Sequence, residues 1–332
     1  MSILSRRLTV FFVAAMAAGL SACSLVDEDR DHCDGAFQLR CRLCPVTRLD
    51  ARLQEELGEE EDKEIRELLA QYLSPVFPEK GKDVLLSFFE PEPRGALVSD
   101  LAETMEAWER VYPLVLPVAS YRHLAVANLS ACAALSREGT DRYGQVALTQ
   151  ENPALPQQAG VFSGRRDFEV KAGENQEVEV PLYMVNAATA LVLDVSKAQS
   201  LPVSVTLDGM AAGFMVADSS FVHDAAAPSV GTDVLSTADG HVRGYASAHF
   251  PSVNPAGKAG TEAPWHWNVY VTLPDGTVTL TVLSMPEPLL AGHLAILKAY
   301  LQDTGVVNTD NPDVGVSVTL DWHQGAEFPI IF

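Results

Sequence analysis

From Phe168 to Trp322 the apolar residues fall almost entirely into short β-branched runs separated by turn formers. That spacing constrains the fold more than any other feature of the chain. Phe168-Glu-Val, Glu177-Val-Glu-Val-Pro-Leu-Tyr-Met, Ala190-Leu-Val-Leu-Asp-Val and Val203-Ser-Val-Thr-Leu follow at hairpin-like intervals, and then come Gly213 to Val216, Arg243 to His249 and His266 to Leu273. Apolar residues recurring every second position fit a pleated strand with one buried face. The sharpest signal is Leu273-Pro-Asp-Gly-Thr-Val-Thr-Leu, where Asp275-Gly276 between alternating apolar residues predicts a tight primed turn. Leu294 to Leu301 fits a strand or a brief helix, and Val314-Gly-Val-Ser-Val-Thr-Leu-Asp-Trp322 reads as the closing strand. Strands that must each bury one face predict a mainly β chain built of sandwiches.

The first half adds one different element. Phe37, Leu39, Cys41 and Leu43 alternate as a first strand. Ile65, Leu68, Leu69, Tyr72, Leu73 and Val76 then recur at helical spacing, while Glu55, Glu56, Glu59, Glu60, Glu64 and Glu67 populate the other side. This predicts one amphipathic helix lying on a sheet with its acidic face in solvent, ended by Pro75 near Ser74. Strand patterns follow at Val84 to Phe89, Val111 to Val118 and His123 to Ala127. Residues 128–164 hold the turn formers Asn152-Pro153 and Ser163-Gly164. A domain boundary is therefore expected near residue 160, dividing an N-terminal domain (36–160) with the single helix from a C-terminal domain (161–332).

The N-terminus fixes the compartment. Arg6 and Arg7 precede an apolar run, Leu8 to Leu20, too short for a comfortable permanent span, so residues 1–22 read as a signal peptide. The run stops at Leu20-Ser-Ala-Cys23, which resembles the lipobox of bacterial lipoproteins. By that likeness Cys23 is acylated and becomes the membrane anchor. Each buried CH₂ contributes roughly 0.8 kcal/mol, and two or more chains hold stably. Ser24 rather than Asp after the cysteine resembles the sorting signal for the outer membrane, with the body expected at the cell exterior. Residues 23–35 form an acidic tether; Asp27, Glu28 and Asp29 fit a surface-export tag or a merely solvated linker.

Charge and motifs then exclude function classes. A formal charge of −21 argues against nucleic acid, whose phosphates need clustered Lys and Arg. No Gly-x-Ser-x-Gly elbow, His-Glu-x-x-His pair or phosphate-cradling loop is present, and the eight histidines are scattered. A calcium loop starting at Asp27 fails, because His32 takes the glycine position and Gln38 that of the bidentate Glu. Cys41-Arg-Leu-Cys44 has the spacing of half a zinc site with no second half, leaving a disulfide or buried thiols for Cys33, Cys41, Cys44 and Cys132. No catalytic residue, metal or cofactor is expected. Trp265, Trp267 and Tyr270 offer either a sugar-binding platform or core packing.

Several segments together resemble one family. Cys23-Ser-Leu-Val-Asp-Glu-Asp-Arg-Asp-His-Cys33, Tyr121-Arg-His-Leu-Ala-Val-Ala-Asn128, Val180 to Asp194 and Val314 to Trp322 are similar, in order, to the fimbrillin-associated anchor proteins of Bacteroidales type V fimbriae. His32-Cys33 and the additional Cys41 and Cys44 depart from that pattern. The resemblance implies two tandem transthyretin-like β-sandwich domains and a non-enzymatic base subunit that tethers a fimbria to the outer membrane and limits its length. Its partner would be the fimbrial shaft subunit, joined by β-strand augmentation. The C-terminal stretch carrying Val314, Val316, Val318, Leu320, Phe328 and Ile330 would either close the chain's own sandwich or be donated to that neighbour. The alternative is a surface lipoprotein that binds glycans through exposed aromatics.

Overall fold

The computed structural model describes residues 34–91, 95–132, 135–138, 145–148, 153–174, 176–223, 229–252 and 265–321. The signal segment, Cys23, Cys33 and the stretch from Trp322 to Phe332, with Phe328 and Ile330, lie outside the described residues. In chain order the elements are β1 (Asp34–Cys44), α1 (Leu49–Glu56), α2 (Lys63–Leu73), β2 (Asp83–Phe89), β3 (Leu97–Thr104), β4 (Glu109–Pro117) and β5 (Ser120–Ala127). Then come β6 (Leu135–Glu138), β7 (Gln145–Leu148), β8 (Phe162–Glu169), β9 (Gln176–Met184), β10 (Ala187–Asp194), β11 (Val203–Asp208), β12 (Gly213–Met215) and β13 (Ser220–Val222). The last are β14 (Val230–Gly231), β15 (Asp233–Ser236), β16 (Val242–His249), β17 (Trp265–Thr272), β18 (Val278–Met285), β19 (Leu294–Leu301), β20 (Val307–Asn308) and β21 (Gly315–Asp321).

These strands make a mainly β, sandwich-type architecture. A seven-stranded sheet runs β3-β2-β5-β8-β9-β1-β4, a central sheet β15-β16-β10-β19-β20, a distal sheet β14-β11-β17-β18-β21, and a small sheet β13-β12-β7-β6. The central and distal sheets face each other over Leu191, Leu193, Tyr245, Trp265, Trp267, Val269 and their neighbours. On its other side the central sheet presents Ala188, Ala190, Ala246 and Ala248 to the helices, which are wedged between it and the inner face of the seven-stranded sheet. A third core lies around Leu124, Val126, Phe214 and Phe250.

The helical region differs from the sequence expectation in two respects. There are two helices, because the chain breaks at Leu57-Gly58, where a Cβ on Gly58 would stand 2.5 Å from Gln54 O. Nor does solvent alone meet the side turned from Ile65, Leu69 and Leu73. Tyr72 Oη donates to Asp233 Oδ2 at 2.6 Å, and the Glu64 carboxylate accepts Ala238 N–H at 2.7 Å. Each fully buried aliphatic of α2 contributes roughly 1.5–3 kcal/mol, so packing on two sheets, not helix propensity, stabilises these short elements.

The segment around residue 160, where turn formers suggested a boundary, is clamped within the fold. Asn186, fully buried, donates through Nδ2 to Ala159 O at 2.8 Å and accepts Val161 N–H at 3.1 Å. Asn128 donates to Gly160 O at 2.9 Å and accepts Lys82 N–H at 2.7 Å. A Cβ on Gly160 would collide with Val76 O. Sheet pairing crosses this point as well, since β8 pairs with β5 and β9 with β1. Likewise β7, from the first half, pairs with β12, from the second.

Replacing Asn186 by Ala strands two buried backbone groups at about 1–3 kcal/mol each. Urea denaturation of Asn186→Ala should therefore show a loss of more than about 2 kcal/mol. A loss within the range of an exposed substitution, about 0.5 kcal/mol, would mean that the clamp does not hold the segment.

Candidate functional site

β21 pairs with β18 in register from Gly315 opposite Ser284 to Asp321 opposite Val278. Residues directly opposite across an antiparallel pair share a face. Val316 stands opposite Leu283, Val318 opposite Thr281 and Leu320 opposite Thr279, and these three β18 residues are fully buried on the inner face of the distal sheet. Val316 and Val318 occupy the same face yet are 40% and 43% exposed. Val314, just before the strand, is buried in the second core.

The reason lies in the opposing sheet. Its last strand, β20, has two residues, and its Val307 N–H reaches Thr281 Oγ1 at 3.2 Å, so it covers β18 and stops there. Among the described residues no strand continues the central sheet beyond β20 to cover β21. Among the described residues β20 pairs with β19 at Tyr300 and Leu301. Lys298 O on this edge accepts Thr309 Oγ1 at 2.7 Å, and alternate residues aim their backbone groups the same way. Four residues earlier on the same edge, Leu294 O accepts a hydrogen bond from Arg52 Nε of α1 at 3.4 Å. Among the described residues, then, the central sheet ends over β18 and leaves Val316 and Val318 uncovered.

Of the partner-facing residues singled out from the sequence, Val314, Val316, Val318 and Leu320 thus sit in or beside the chain's own last strand. The sequence reading missed the brevity of β20. A signal for it exists: Asn311-Pro312-Asp313 leaves little room for a strand after Gly305.

The aromatic candidates resolve onto opposite faces. Trp265 and Trp267 are 2% and 0% exposed, 6.1 Å apart between ring centroids in the second core, and Trp265 Nε1–H donates to Glu287 O at 2.9 Å. Periodicity put them on one face, and that face is the interior, so they form no sugar platform; Tyr270, half-buried, lies on the reverse side. There Asp208 accepts Asn268 Nδ2–H at 2.7 Å and the Ser229 hydroxyl, with His266 Nε2 at 3.4 Å. The His266 bond most of all, together with those from Ser229 and Asn268, outweighs burial and lowers the Asp208 pKa to about 2. That carboxylate is a saturated structural acceptor, not a poised base.

The Cys-x-x-Cys spacing also falls on a strand. Cys41 points inward and Cys44 outward along β1, three residues and roughly 10 Å apart, which neither a disulfide nor a shared metal can span. Burial pushes the Cys41 thiol up to about 12, so it behaves as a small hydrophobe. Among the described residues no group of three or more His, Cys, Asp or Glu is placed to hold a metal ion, and no helix is long and apolar enough to cross a membrane.

Two histidines are wholly buried. His123 stacks on Phe88 at 4.5 Å and donates through Nδ1 to Ser87 O at 3.1 Å. His249 donates through Nδ1 to Phe250 O at 2.7 Å and meets Thr189 Oγ1 through Nε2 at 3.2 Å. Desolvation, only partly offset by these bonds, lowers both to about 4.

No protein-family model matches the chain, and no curated protein matches it. Solved structures do. A candidate polysaccharide-binding protein of Bacteroides thetaiotaomicron VPI-5482 matches with a TM-score of 0.50 at 10% identity, over 85% of this chain and 97% of the other. A candidate adhesin of the same organism matches with a TM-score of 0.50 at 13% identity, over 86% and 96%. The tip fimbrial protein Mfa3 of Porphyromonas gingivalis, with a C-terminal truncation, covers 87% and 100% at 11% identity, but its TM-score of 0.42 is too low to carry an inference. At these identities the likeness establishes the fold, across nearly the whole length of the two Bacteroides chains.

The buried histidines set a pH dependence. Unfolded imidazoles take up a proton near 6.5 and the folded ones only near 4. Their contribution is thus complete above about pH 6.5 and is lost as pH falls toward 4, by up to about 1.4 kcal/mol per unit for each. The urea midpoint should decline across that window, and less steeply in His123→Phe. A flat midpoint between pH 6.5 and 4.5 would contradict neutral, buried imidazoles.

Proposed function

We propose that this chain is the base subunit of a fimbria, held on the outer membrane through acylated Cys23 and gripping the shaft subunit by β-strand augmentation. The observation that carries the reading is that, among the described residues, no strand covers Val316 and Val318. Apolar side chains on the inner face of a sandwich are ordinarily covered, and among the described residues no strand of the central sheet reaches past β20 over these two. An extended segment from a neighbouring subunit would supply that cover: its backbone would extend the central sheet past β20 and its alternate side chains would cover the valines. Residues 315–321 already pair within the chain's own distal sheet, so they form the floor for such a strand. Phe328 and Ile330 continue the apolar alternation and belong to the segment that either closes this position or is lent to the neighbour.

The lipobox-like Leu20-Ser-Ala-Cys23 supplies the membrane end of the device, and the Bacteroides structures, one of them described as a candidate adhesin, share its fold. A subunit fixed in the membrane at one end and offering one strand position at the other can start or stop a fibre but cannot lengthen it. That is how an anchor limits fimbrial length.

Two experiments bear on this. Val318→Lys should leave the isolated protein within about 0.5 kcal/mol of the parent, because the side chain is already half in solvent, yet reduce co-purification of the shaft subunit at least tenfold. Unchanged co-purification would rule out the position. Separately, Cys23→Ala cells should shed fimbriae into the medium. Fimbriae that stay attached at normal length would overturn the anchor role.

A further inference from the structure

A cleft of about 370 Å³ opens at the C-terminal ends of β10 and β19, lined by Asp194, Ser196, Lys197, Tyr300, Leu301 and Asp310. Small-molecule sites run from ~300 to ~1,000 Å³, so it is of the size for one small ring. Its side chains come from one face of the central sheet. Asp194 stands opposite Tyr300 in the parallel β10–β19 pair, and Asn308 opposite Tyr300 in the antiparallel β19–β20 pair. Residues opposite one another share a face, and this is the face that turns Ala190, Val192, Leu294 and Ile296 toward the helices. α2 starts over the preceding row, where Lys298 Nζ pairs with Asp62 and Ile65 approaches Gly244. Beyond it the row Asn308, Tyr300, Asp194 spans two strand spacings, roughly 10 Å. There Tyr300 is half-buried and Asp194 exposed.

Two turns bring the remaining groups to the cleft. Asp194 Oδ1 accepts Ser196 N–H at 2.8 Å and Val195 O accepts Ala198 N–H at 2.9 Å, which fixes the turn carrying Ser196 and Lys197. Across the row, Thr309 Oγ1 donates to Lys298 O at 2.7 Å, and Asp310 follows it. Among the described residues no side chain pairs with Lys197 or Asp310, and Asp194 Oδ2 has no hydrogen bond.

These groups select a class of ligand. No strand can add here, because Asp194 is already paired with Val242 and Tyr300, and Tyr300 with Asp194 and Asn308. Recognition falls to side chains: donors at Lys197 and Ser196 and acceptors at Asp194 and Asp310, around one aromatic ring. Two carboxylates against one ammonium disfavour an anion. A sugar ring meets all of these conditions, since it offers a C–H face to an aromatic ring and hydroxyls that both donate and accept. We propose that this cleft binds one residue of a neutral or amine-bearing glycan, its C–H face against the Tyr300 ring and its polar groups on Asp194, Asp310, Lys197 and Ser196. The cleft lies on the opposite face of the central sheet from Val316 and Val318, so a glycan here does not compete with a strand there.

The test lays the fluorescently labelled mature lipoprotein, in a detergent without sugar head groups, on an array of neutral, amine-bearing and acidic oligosaccharides. Calorimetry then follows the glycan that captures it best. A neutral or amine-bearing glycan should capture the protein, and Asp194→Asn and Tyr300→Leu should each bind it at least about tenfold more weakly, the effect of losing a hydrogen bond to a charged group or a ring contact. Tyr300→Phe keeps the ring and should bind as the parent does, which separates a lost contact from a lost fold. Tyr183→Ala removes an exposed aromatic of the seven-stranded sheet and should change nothing. An array that captures no protein, or capture by acidic glycans alone, would overturn the proposal. So would full binding by Tyr300→Leu, or a loss in Tyr300→Phe or Tyr183→Ala equal to that in Tyr300→Leu.

Discussion

The fold depends on a central sheet that is buried on both faces. β10 is buried from Ala187 to Leu193 without alternation, and β16 from Gly244 to His249. Such a sheet must match two different neighbours. Toward the distal sheet it turns Leu191, Leu193 and Tyr245, which fill a sandwich interior about 10 Å thick. Toward the helices it turns alanines, and at Gly244 a Cβ would already stand 3.0 Å from Ile65 Cδ1. Small residues let α2 approach the sheet, and the helix pair then fills the gap to the seven-stranded sheet. Without that face the two sandwiches would be beads on a linker; with it, the clamp at Asn128 and Asn186 has a rigid frame.

This constraint also explains which parts of the fold were legible in the sequence. Half-buried strands announce themselves, because Phe37, Leu39, Cys41 and Leu43 alternate with polar residues and all point inward. Pairing between distant segments does not. Nothing local to Gln145-Val-Ala-Leu148 says that it meets Gly213-Phe-Met215, or that β8 and β9 belong with strands before residue 160. The helical pattern was read as one element because Glu-rich spacing runs through Gly58, and the break depends on a close approach to Gln54 O. Trp265 and Trp267 share a face by simple period-two counting, but which side that face turns to is a tertiary fact. The proposed docking position was the least legible, since it consists of what β20 fails to cover.

The edges of the sheets bear on how the proposed docking position would stay specific. An exposed strand edge invites indiscriminate pairing, and proteins blunt it with proline, charge or brevity. β4 carries Pro113 and Pro117; β3 carries Asp100 and Glu103 and is exposed along most of its length; β13, β14 and β20 have only two or three residues each. Val316-Ser-Val-Thr-Leu320 in β21 has none of these devices until Asp321. A long uncharged edge that is merely exposed would be an aggregation hazard. Here it lies behind the short β20, and in the proposed docking a strand would have to extend the central sheet past β20 and cover Val316 and Val318 together. On the proposed reading, requiring both contacts would admit an extended segment of alternating apolar residues and exclude a flat strand that satisfies only the backbone, which would make the brevity of β20 itself the specificity element.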